Sequence, residues 1–204
     1  MTPLKIKRFR NIIIIIVVIL GIFIYKEHQM ILLYGYKNIL GDHSIPAVYY
    51  PIYQSAAEEY GIPWELLAAV HRVETVFSLM DPLVSPVGAL GPFQFMPRTW
   101  VGWSHPGSAL GKIEDNIDIT SIELIRLHSG YGIDANGDGI ADPFEIEDAT
   151  FAAAKYLSDH GAANGDIEKA LFAYNRSNAY VDEVLHYYEA YIRDYRLMNR
   201  YFID

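Results

Sequence analysis

A single carboxylate, Glu74, stands where its neighbours suit it to acid–base chemistry. Pro63 suits the first turn of a helix, and apolar residues follow at helical spacing, namely Leu66, Leu67, Val70, Val73 and Phe77. Glu74 falls on that apolar face and near the helix end, because Asp81-Pro82 stops the pattern. Burial and the negative end of the helix dipole both disfavour an ionised carboxylate there. A carboxyl group held protonated near neutral pH is what a general acid requires, although the spacing also fits an edge position from which Glu74 reaches water.

The segment after this helix has the composition of a ligand-binding loop. Gln94 is an uncharged hydrogen-bond donor and acceptor within a run that begins at Ser85 and is otherwise apolar. The residues that shape the chain around it are Gly88, Gly91, Pro92 and Pro97. Such a loop lets a ligand come close to the backbone, and it also fits a tight connection between two elements.

Two phenols and an amide lie between the last two predicted helices, at Tyr174, Asn175 and Tyr180. Tyrosine stacks against a sugar ring and hydrogen-bonds it, and asparagine can bind an N-acetyl or hydroxyl group. This trio therefore suits a carbohydrate site. The alternative is that Tyr174 belongs to the core and Asn175 caps a helix.

Residues 134–145 carry the pattern of an EF-hand calcium loop. Side-chain oxygens occupy the required positions, a glycine stands at position six and a backbone carbonyl at position seven, so the candidate ligands are Asp134, Asn136, Asp138, Ile140, Asp142 and Glu145. Calcium binds six to eight oxygens, and the final glutamate can close the shell with both of its own. We expect a structural calcium ion that takes no part in the chemistry. The alternative is a glycine-rich turn without metal.

These motifs together resemble the lytic transglycosylases of the lysozyme-like superfamily, especially the membrane-bound B-type branch. The matching pieces are Val73–Phe77, Ser85–Pro97, Asp142-Pro143, Asp148-Ala149, Ala153–Leu157 and Ala173–Asn175, with Tyr180 five residues after the asparagine. The resemblance implies a mainly α, lysozyme-like helical domain that contains the calcium loop. One departure is the short segment between Glu74 and Ser85, which means that a subdomain of larger relatives is missing.

The resemblance also assigns roles to the motif residues. Glu74 is the catalytic residue by this reasoning, and Met96 lines the cleft. The residues that contact or orient the saccharide beside Glu74 are Ser85, Gln94, Tyr174, Asn175 and Tyr180.

The expected reaction depends on how many carboxylates act. Ordinary glycosidases use two, whereas the only nearby candidate beside Glu74 in the sequence is Asp81, in a helix-ending turn. A single acid suits a peptidoglycan lytic transglycosylase, in which the muramoyl 6-hydroxyl attacks and forms a 1,6-anhydro end without a catalytic cofactor. The alternatives are a muramidase that admits water and uses the same Glu74, and a non-catalytic, calcium-stabilised wall-binding module.

Composition and charge limit the partners and the redox chemistry. The chain has 204 residues and a net charge of −9, and four of its basic residues precede the first apolar run, so the remainder is more acidic still. An acidic chain is a poor candidate for binding nucleic acid. It has no cysteine, so it forms no disulfide and carries no lipid-modified cysteine.

The N-terminus predicts a membrane anchor. Residues 12–25 are almost entirely apolar and follow a basic segment, and no small-x-small cleavage site comes after them. We therefore predict a cytoplasmic segment at 1–10, an uncleaved anchor with an interfacial part at 11–36, and a tether at 37–46. The catalytic domain, 47–204, would then lie on the extracytoplasmic, cell-wall side. A buried core helix is the alternative for the apolar run.

Apolar periodicity predicts a mostly helical domain with weak strand signals. The expected helices span 47–60, 63–79, 98–103, 117–128, 146–160, 166–175 and 179–195.

Overall fold

Seven α-helices and one pair of short strands make up the part of the chain that the structure, a computed structural model, describes: residues 35–36 and 40–199. The prediction of a mainly helical fold is confirmed. The helices are α1 (Tyr50–Tyr60), α2 (Trp64–Thr75), α3 (Pro97–Val101), α4 (Ile122–His128), α5 (Ile146–Asp159), α6 (Ile167–Tyr174) and α7 (Asn178–Arg193). Single 3-10 turns span Ala47–Tyr49 and Ala162–Asn164, and the strands are β1 (Ser44–Pro46) and β2 (Arg196–Met198).

Each predicted helix forms, and the differences lie at the ends. The helix expected at 117–128 begins only at Ile122, because the Ser121 hydroxyl oxygen accepts the Leu124 N–H and caps the first turn. The helix expected at 63–79 ends at Thr75, for a reason that concerns the candidate site and is given below.

Helix α2 lies at the centre of the packing. It packs against α7 and α1, while α5 packs against α1 and α6, and α6 against α7. Its side chains Leu66, Leu67 and Val70 are fully buried. Helix α5 offers a face of buried alanines, including Ala152 and Ala153, which lets its neighbours approach closely. The last turn of α2, where Glu74 lies, is therefore carried by a firmly held helix.

The parallel pairing of β1 with β2 was not predicted. Ser44, Ile45 and Pro46 pair with Arg196, Leu197 and Met198 respectively. Three-residue strands are too short to show a period-two pattern, so the strand signals there are weak. The compact unit begins at Leu40, and Ile45 is fully buried, so the last residues of the predicted tether belong to the domain.

Among the described residues, no helix combines the length and the apolar character needed to cross a membrane. The anchor predicted at 11–36 lies outside the described residues except for Gly35 and Tyr36, and it stays a prediction.

Candidate active site

Glu74 occupies the last turn of α2. The helix ends at Thr75 because the next residues turn left-handed, with φ of 51° at Val76 and 60° at Phe77. Their backbone N–H groups return to carbonyls of the last helical turn, at 2.9 and 3.3 Å, and so satisfy acceptors that the helix end would leave open. The prediction that this helix continues to residue 79 is wrong.

This left-handed turn stores backbone strain next to Glu74. Val76, Phe77 and Ser78 all have positive φ, which non-glycine residues rarely adopt and β-branched valine adopts least readily. Each such residue costs on the order of 1–3 kcal/mol and persists only when the surroundings impose it. Strain of this kind is typical of functional sites.

Thr75 is one of the groups that impose the turn. Its buried hydroxyl donates to the Pro92 carbonyl at 2.8 Å and accepts the Ser78 N–H at 3.1 Å. Because Pro92 belongs to the loop at 83–95, hereafter the site loop, Thr75 joins the helix that carries Glu74 to this loop.

His71 is the second such group. It is fully buried, and its two ring nitrogens share hydrogen bonds with the Tyr53 hydroxyl at 2.7 Å and the Ser78 hydroxyl at 2.8 Å. Its ring also stacks on Phe93 of the site loop, with centroids 4.9 Å apart. Burial lowers the pKa of His71 to about 3, so the ring is neutral and acts as a fixed structural connection.

Two parallel tyrosine rings form the wall beside Glu74. The rings of Tyr174 and Tyr180 lie 6.4 Å apart at an interplanar angle of 1°. The Tyr174 hydroxyl donates to the Phe93 carbonyl at 2.7 Å, which gives the site loop a second attachment. After burial, the charge of Glu74 is the next cause that raises the pKa of both phenols, so both lie near this carboxyl group.

The surroundings hold Glu74 in its protonated form up to neutral pH. The residue keeps partial solvent contact, but protein surrounds its carboxyl group, and burial is the largest cause that raises its pKa to about 7. The approach of the Tyr180 hydroxyl acts in the opposite direction, and the negative charge of Glu183 raises the pKa further. The Tyr180 hydroxyl is enclosed and approaches Glu74 without a hydrogen bond of standard geometry.

Ser85 and Gln94 shape the site loop itself. The Ser85 hydroxyl oxygen accepts the Ala89 N–H at 2.9 Å, and the Gln94 side-chain amide donates to the Gly91 carbonyl at 2.7 Å. Gln94 also has a positive φ of 50°. The structure thus brings Tyr174 and Tyr180 to Glu74, whereas these hydrogen bonds of Ser85 and Gln94 lie within their loop.

The other two predicted substrate contacts lie at helix ends. Met96 immediately precedes α3 and packs against Gly111, where a Cβ would come within 2.9 Å of the Met96 Cβ. Asn175 ends α6, is exposed, and donates its backbone N–H to the Leu171 carbonyl at 3.0 Å. The position of Asn175 therefore fits the helix-cap alternative as well as a contact with substrate.

The predicted calcium loop is held by hydrogen bonds from its backbone N–H groups to two carboxylates, one in the loop and one on α5. The Asp134 carboxylate accepts the N–H groups of Gly137, Asp138 and Gly139, at 2.8, 3.1 and 3.0 Å. Asp148, fully buried on α5, accepts the Ala135 and Asp142 N–H groups, both at 2.8 Å. Asp148 lies outside the twelve-residue calcium-loop pattern, and its carboxylate holds the loop backbone in place.

The donors of this loop fit calcium in type and order, and Gly139 at position six has the positive φ, 96°, that the sharp turn needs. The carboxylates of the loop do not converge in threes, since among the described residues no group of three or more His, Cys, Asp and Glu side chains is placed to hold a metal ion. Calcium binding therefore stays a proposal.

The predicted calcium loop, residues 134–145, touches the site loop, although the two are far apart in sequence. Gly91 has a φ of 73°, and a Cβ there would lie 1.7 Å from the Pro143 carbonyl oxygen. The Trp100 indole N–H also donates to the Ala141 carbonyl at 3.2 Å. The shape of residues 134–145 thus limits the position of the site loop.

A cavity of about 730 Å³ opens next to the calcium loop, lined in part by Tyr131, Asp134 and Lys155. Glu74 is not among its lining residues. We place the candidate active site at Glu74. Its carboxyl group has a raised pKa, the rings of Tyr174 and Tyr180 lie beside it, and the left-handed turn at 76–78 follows it directly.

Three residues that contact or influence this region were not predicted from the sequence, namely Thr75, His71 and Glu183. Thr75 and His71 are in contact with residues of the site loop, and nothing in the local sequence indicates such contacts. Glu183 lies on α7 three residues after Tyr180, and this helical spacing was a usable sign that both face the same way.

Comparison with known proteins adds one weak similarity. No protein-family model matches the chain, and no solved structure matches it. A protein of Bacillus subtilis (strain 168), an L-Ala--D-Glu endopeptidase, is 27% identical over 134 residues. The match covers 64% of this chain and 38% of that protein, so the chain spans well under half the length of this relative.

Proposed function

We propose that the protein is a peptidoglycan lytic transglycosylase of the lysozyme-like superfamily, similar to the membrane-bound B-type branch. It would cleave the β-1,4 bond between N-acetylmuramic acid and N-acetylglucosamine and leave a 1,6-anhydromuramoyl end. The observation that carries this proposal is Glu74, a half-buried carboxyl whose pKa is raised to about 7 beside Tyr174 and Tyr180. The relative from B. subtilis is by its name an endopeptidase for an L-Ala–D-Glu bond, and a peptide bond to a D-amino acid is typical of peptidoglycan, which supports peptidoglycan as the substrate class.

In the first step Glu74 is the acid. Its proton passes to the glycosidic oxygen, the bond from that oxygen to the muramoyl anomeric carbon breaks, and the 2-acetamido group assists departure. Of the two parallel rings, Tyr174 is the partly exposed one, and it is the ring that a sugar would contact. The raised pKa keeps the transferable proton on Glu74 near neutral pH.

In the second step the same group is the base. The Glu74 carboxylate takes the proton of the muramoyl 6-hydroxyl, and that oxygen bonds to the anomeric carbon. Glu74 regains its proton, and water is not consumed. Ser85, Gln94 and Asn175 are proposed to orient the glycan and Met96 to line the cleft, with the site loop held by Thr75 and Tyr174.

A second candidate is a muramidase, which the negative charge of Glu183 favours. Its negative charge acts on Glu74, so the site has a second carboxylate that the sequence neighbourhood did not reveal. Most enzymes that hydrolyse glycosidic bonds with water use a pair of carboxylates.

Two further proposals accompany this function. Calcium would bind at residues 134–145 and stabilise the loop that meets the site loop at Gly91. The predicted anchor would hold the domain at the membrane, facing the cell wall.

The decisive experiment identifies the products released from purified peptidoglycan by the full-length protein. Mass spectrometry of muropeptides with 1,6-anhydro ends supports the proposal, whereas reducing ends indicate the muramidase. A lack of products indicates a wall-binding module. Glu74→Gln should lower turnover by about 10²–10⁴-fold, because it removes the transferable proton. Glu65→Gln, in the first turn of the same helix, is the matched control and should retain activity.

A further inference from the structure

The cavity of about 730 Å³ beside the predicted calcium loop has no part in the proposed reaction. Its wall is formed by α4, by the segment 129–134 and by the last turns of α5. Its volume lies in the range of pockets that hold small ligands. Arg126 and Lys155 bring two positive charges to this wall, and Tyr131 brings an aromatic ring. Such a lining suits a ligand that carries both a negative charge and some apolar surface.

The two cations of this wall are available to a ligand. Within the described part of the chain, neither Arg126 nor Lys155 forms an ion pair. Lys155 donates to the Gly130 carbonyl at 3.4 Å and lies over the Tyr131 ring at 5.5 Å, so its ammonium group has further N–H donors to offer. The Asp134 carboxylate, in the same wall, already accepts three backbone N–H groups of its own loop. A ligand carboxylate would therefore meet two cations without displacing a protein carboxylate from either.

The floor of the cavity is held in place by α3. The Tyr131 N–H donates to the Thr99 carbonyl at 3.2 Å. The Gly132 N–H donates to the Trp100 carbonyl at 3.0 Å. Gly130 lies so close to α3 that a Cβ there would come within 2.1 Å of the Trp100 carbonyl oxygen. Because this segment is fixed, a ligand does not have to shape the cavity, which lowers the cost of binding.

A row of aromatic rings leads from this cavity to Glu74. Tyr131 in the cavity wall contacts Tyr156, with ring centroids 4.7 Å apart, and Tyr156 contacts Tyr174 at 5.2 Å. Tyr174 is the partly exposed ring beside Glu74. A single ring thus separates the cavity wall from the wall of the candidate active site. An extended peptide covers that interval with a few residues, at ~3.5 Å each.

We propose that this cavity binds the stem peptide of peptidoglycan, and that Arg126 and Lys155 hold a carboxylate of that peptide. This inference rests on the proposed function. The stem peptide is attached to N-acetylmuramic acid, the sugar that would react at Glu74, so a bound glycan brings the peptide within reach of the cavity. The peptide carries free carboxylates, whereas N-acetylglucosamine carries none. Asp159, exposed in the same wall, suits the ammonium group of the diamino acid in the stem.

The test is isothermal titration calorimetry of the full-length protein with the stem peptide acetyl-L-Ala–γ-D-Glu–L-Lys–D-Ala. The acetyl group stands in for the muramoyl attachment, and the same peptide with amidated carboxyl groups is the matched ligand. The free-acid peptide should bind about tenfold or more tightly than the amidated one, because a hydrogen bond to a charged group contributes at least one tenfold step in affinity.

Variants of the two cations locate the binding. Arg126→Gln and Lys155→Gln should each weaken binding of the free-acid peptide by about tenfold, and Arg126→Lys should retain more of the affinity because it keeps the charge. Arg126 is exposed, so its replacement should leave the fold intact, which thermal unfolding checks. Lys169→Gln is the matched control, since Lys169 is an exposed lysine on α6 outside this cavity, and it should bind as wild type does.

Three results would overturn the inference: no binding of the free-acid peptide, equal affinity for the two peptides, or unchanged affinity in both glutamine variants. Chitotetraose, a sugar chain without carboxyl groups, tests the other occupant. If Arg126→Gln and Lys155→Gln weaken its binding as much as that of the peptide, the cavity is a sugar site and not a peptide site. The titration requires no bond cleavage and can be repeated with Glu74→Gln. Its failure is therefore distinguishable from failure of the proposed function, which the muropeptide products decide.

Discussion

Replacement of Glu74 by glutamine is expected to stabilise the folded protein by an amount that grows with pH. Burial, the largest cause, raises the pKa of this carboxyl from an ordinary 4.5 to about 7. A carboxyl with a raised pKa holds its proton more tightly in the folded state. The stability it contributes is therefore complete below about pH 4.5 and is lost as the pH rises through about 7. Glutamine is neutral at every pH and avoids this loss.

The size of the effect follows from the two pKa values. The interval from 4.5 to about 7, at 1.36 kcal/mol per pH unit, gives about 3 kcal/mol at pH 8. For a chain of this size that free energy corresponds to a rise of roughly 6–12 °C in Tm. At pH 4 the ionisation contributes nothing, and only the constant effect of exchanging a hydroxyl for an amide beside Tyr180 remains.

Thermal unfolding of the full-length wild type and Glu74→Gln at several pH values between 4 and 8 measures this directly. Glu189→Gln, an exposed position on α7, is the control and should show no growing difference. A Tm difference for Glu74→Gln that is constant across the pH range would refute the reasoning, because it would mean that Glu74 ionises as it does in the unfolded chain. A variant that is inactive yet more stable would also show that lost activity is not lost folding.

Two further predictions concern the contacts around the site. Thr75→Val should lower stability by about 1–3 kcal/mol and reduce kcat, because it leaves the Pro92 carbonyl and the Ser78 N–H without their buried partner. Thr150→Val, which removes only a bond to the carbonyl four residues back, should lower stability without a selective loss of kcat. Calcium should raise the Tm of metal-stripped protein by mass action, and Asp138→Ala should abolish that rise while Asp115→Ala, outside the loop, retains it. An equal Tm with and without chelator would contradict the calcium assignment.

The helix that carries Glu74 could be predicted because the residues that define it are neighbours in the sequence. Pro63 and the apolar residues at helical spacing define α2, and Glu74 lies in its last turn as expected. Phe77 fitted the same apolar pattern and is indeed buried, but it reaches the core through a left-handed turn. Apolar spacing reports which side chains face the core, and it says nothing of the sign of φ at non-glycine residues.

The attachments of the site loop could not be predicted for a different reason. Thr75 meets Pro92, and Tyr174 meets Phe93 across more than eighty residues of chain. Such contacts depend on how α2, α6 and the loop pack, and no spacing within one element encodes them. The contact between Gly91 and Pro143 is of the same kind, and it joins two loops that the sequence showed only as separate motifs.

The presence of Glu183 changes the mechanistic argument that the sequence allowed. With Asp81 as the only neighbour in sequence, a single carboxylate was the reason to prefer the transglycosylase route over hydrolysis. A second negative charge beside Glu74 weakens that reason, but it strengthens the double role of Glu74. The protonated form is favoured before bond cleavage, and the carboxylate formed afterwards is a stronger base towards the muramoyl 6-hydroxyl than an ordinary glutamate. A pKa of about 7 thus serves both steps. The destabilisation it brings at neutral pH falls on α2, whose side chains Leu66, Leu67 and Val70 are fully buried in the core.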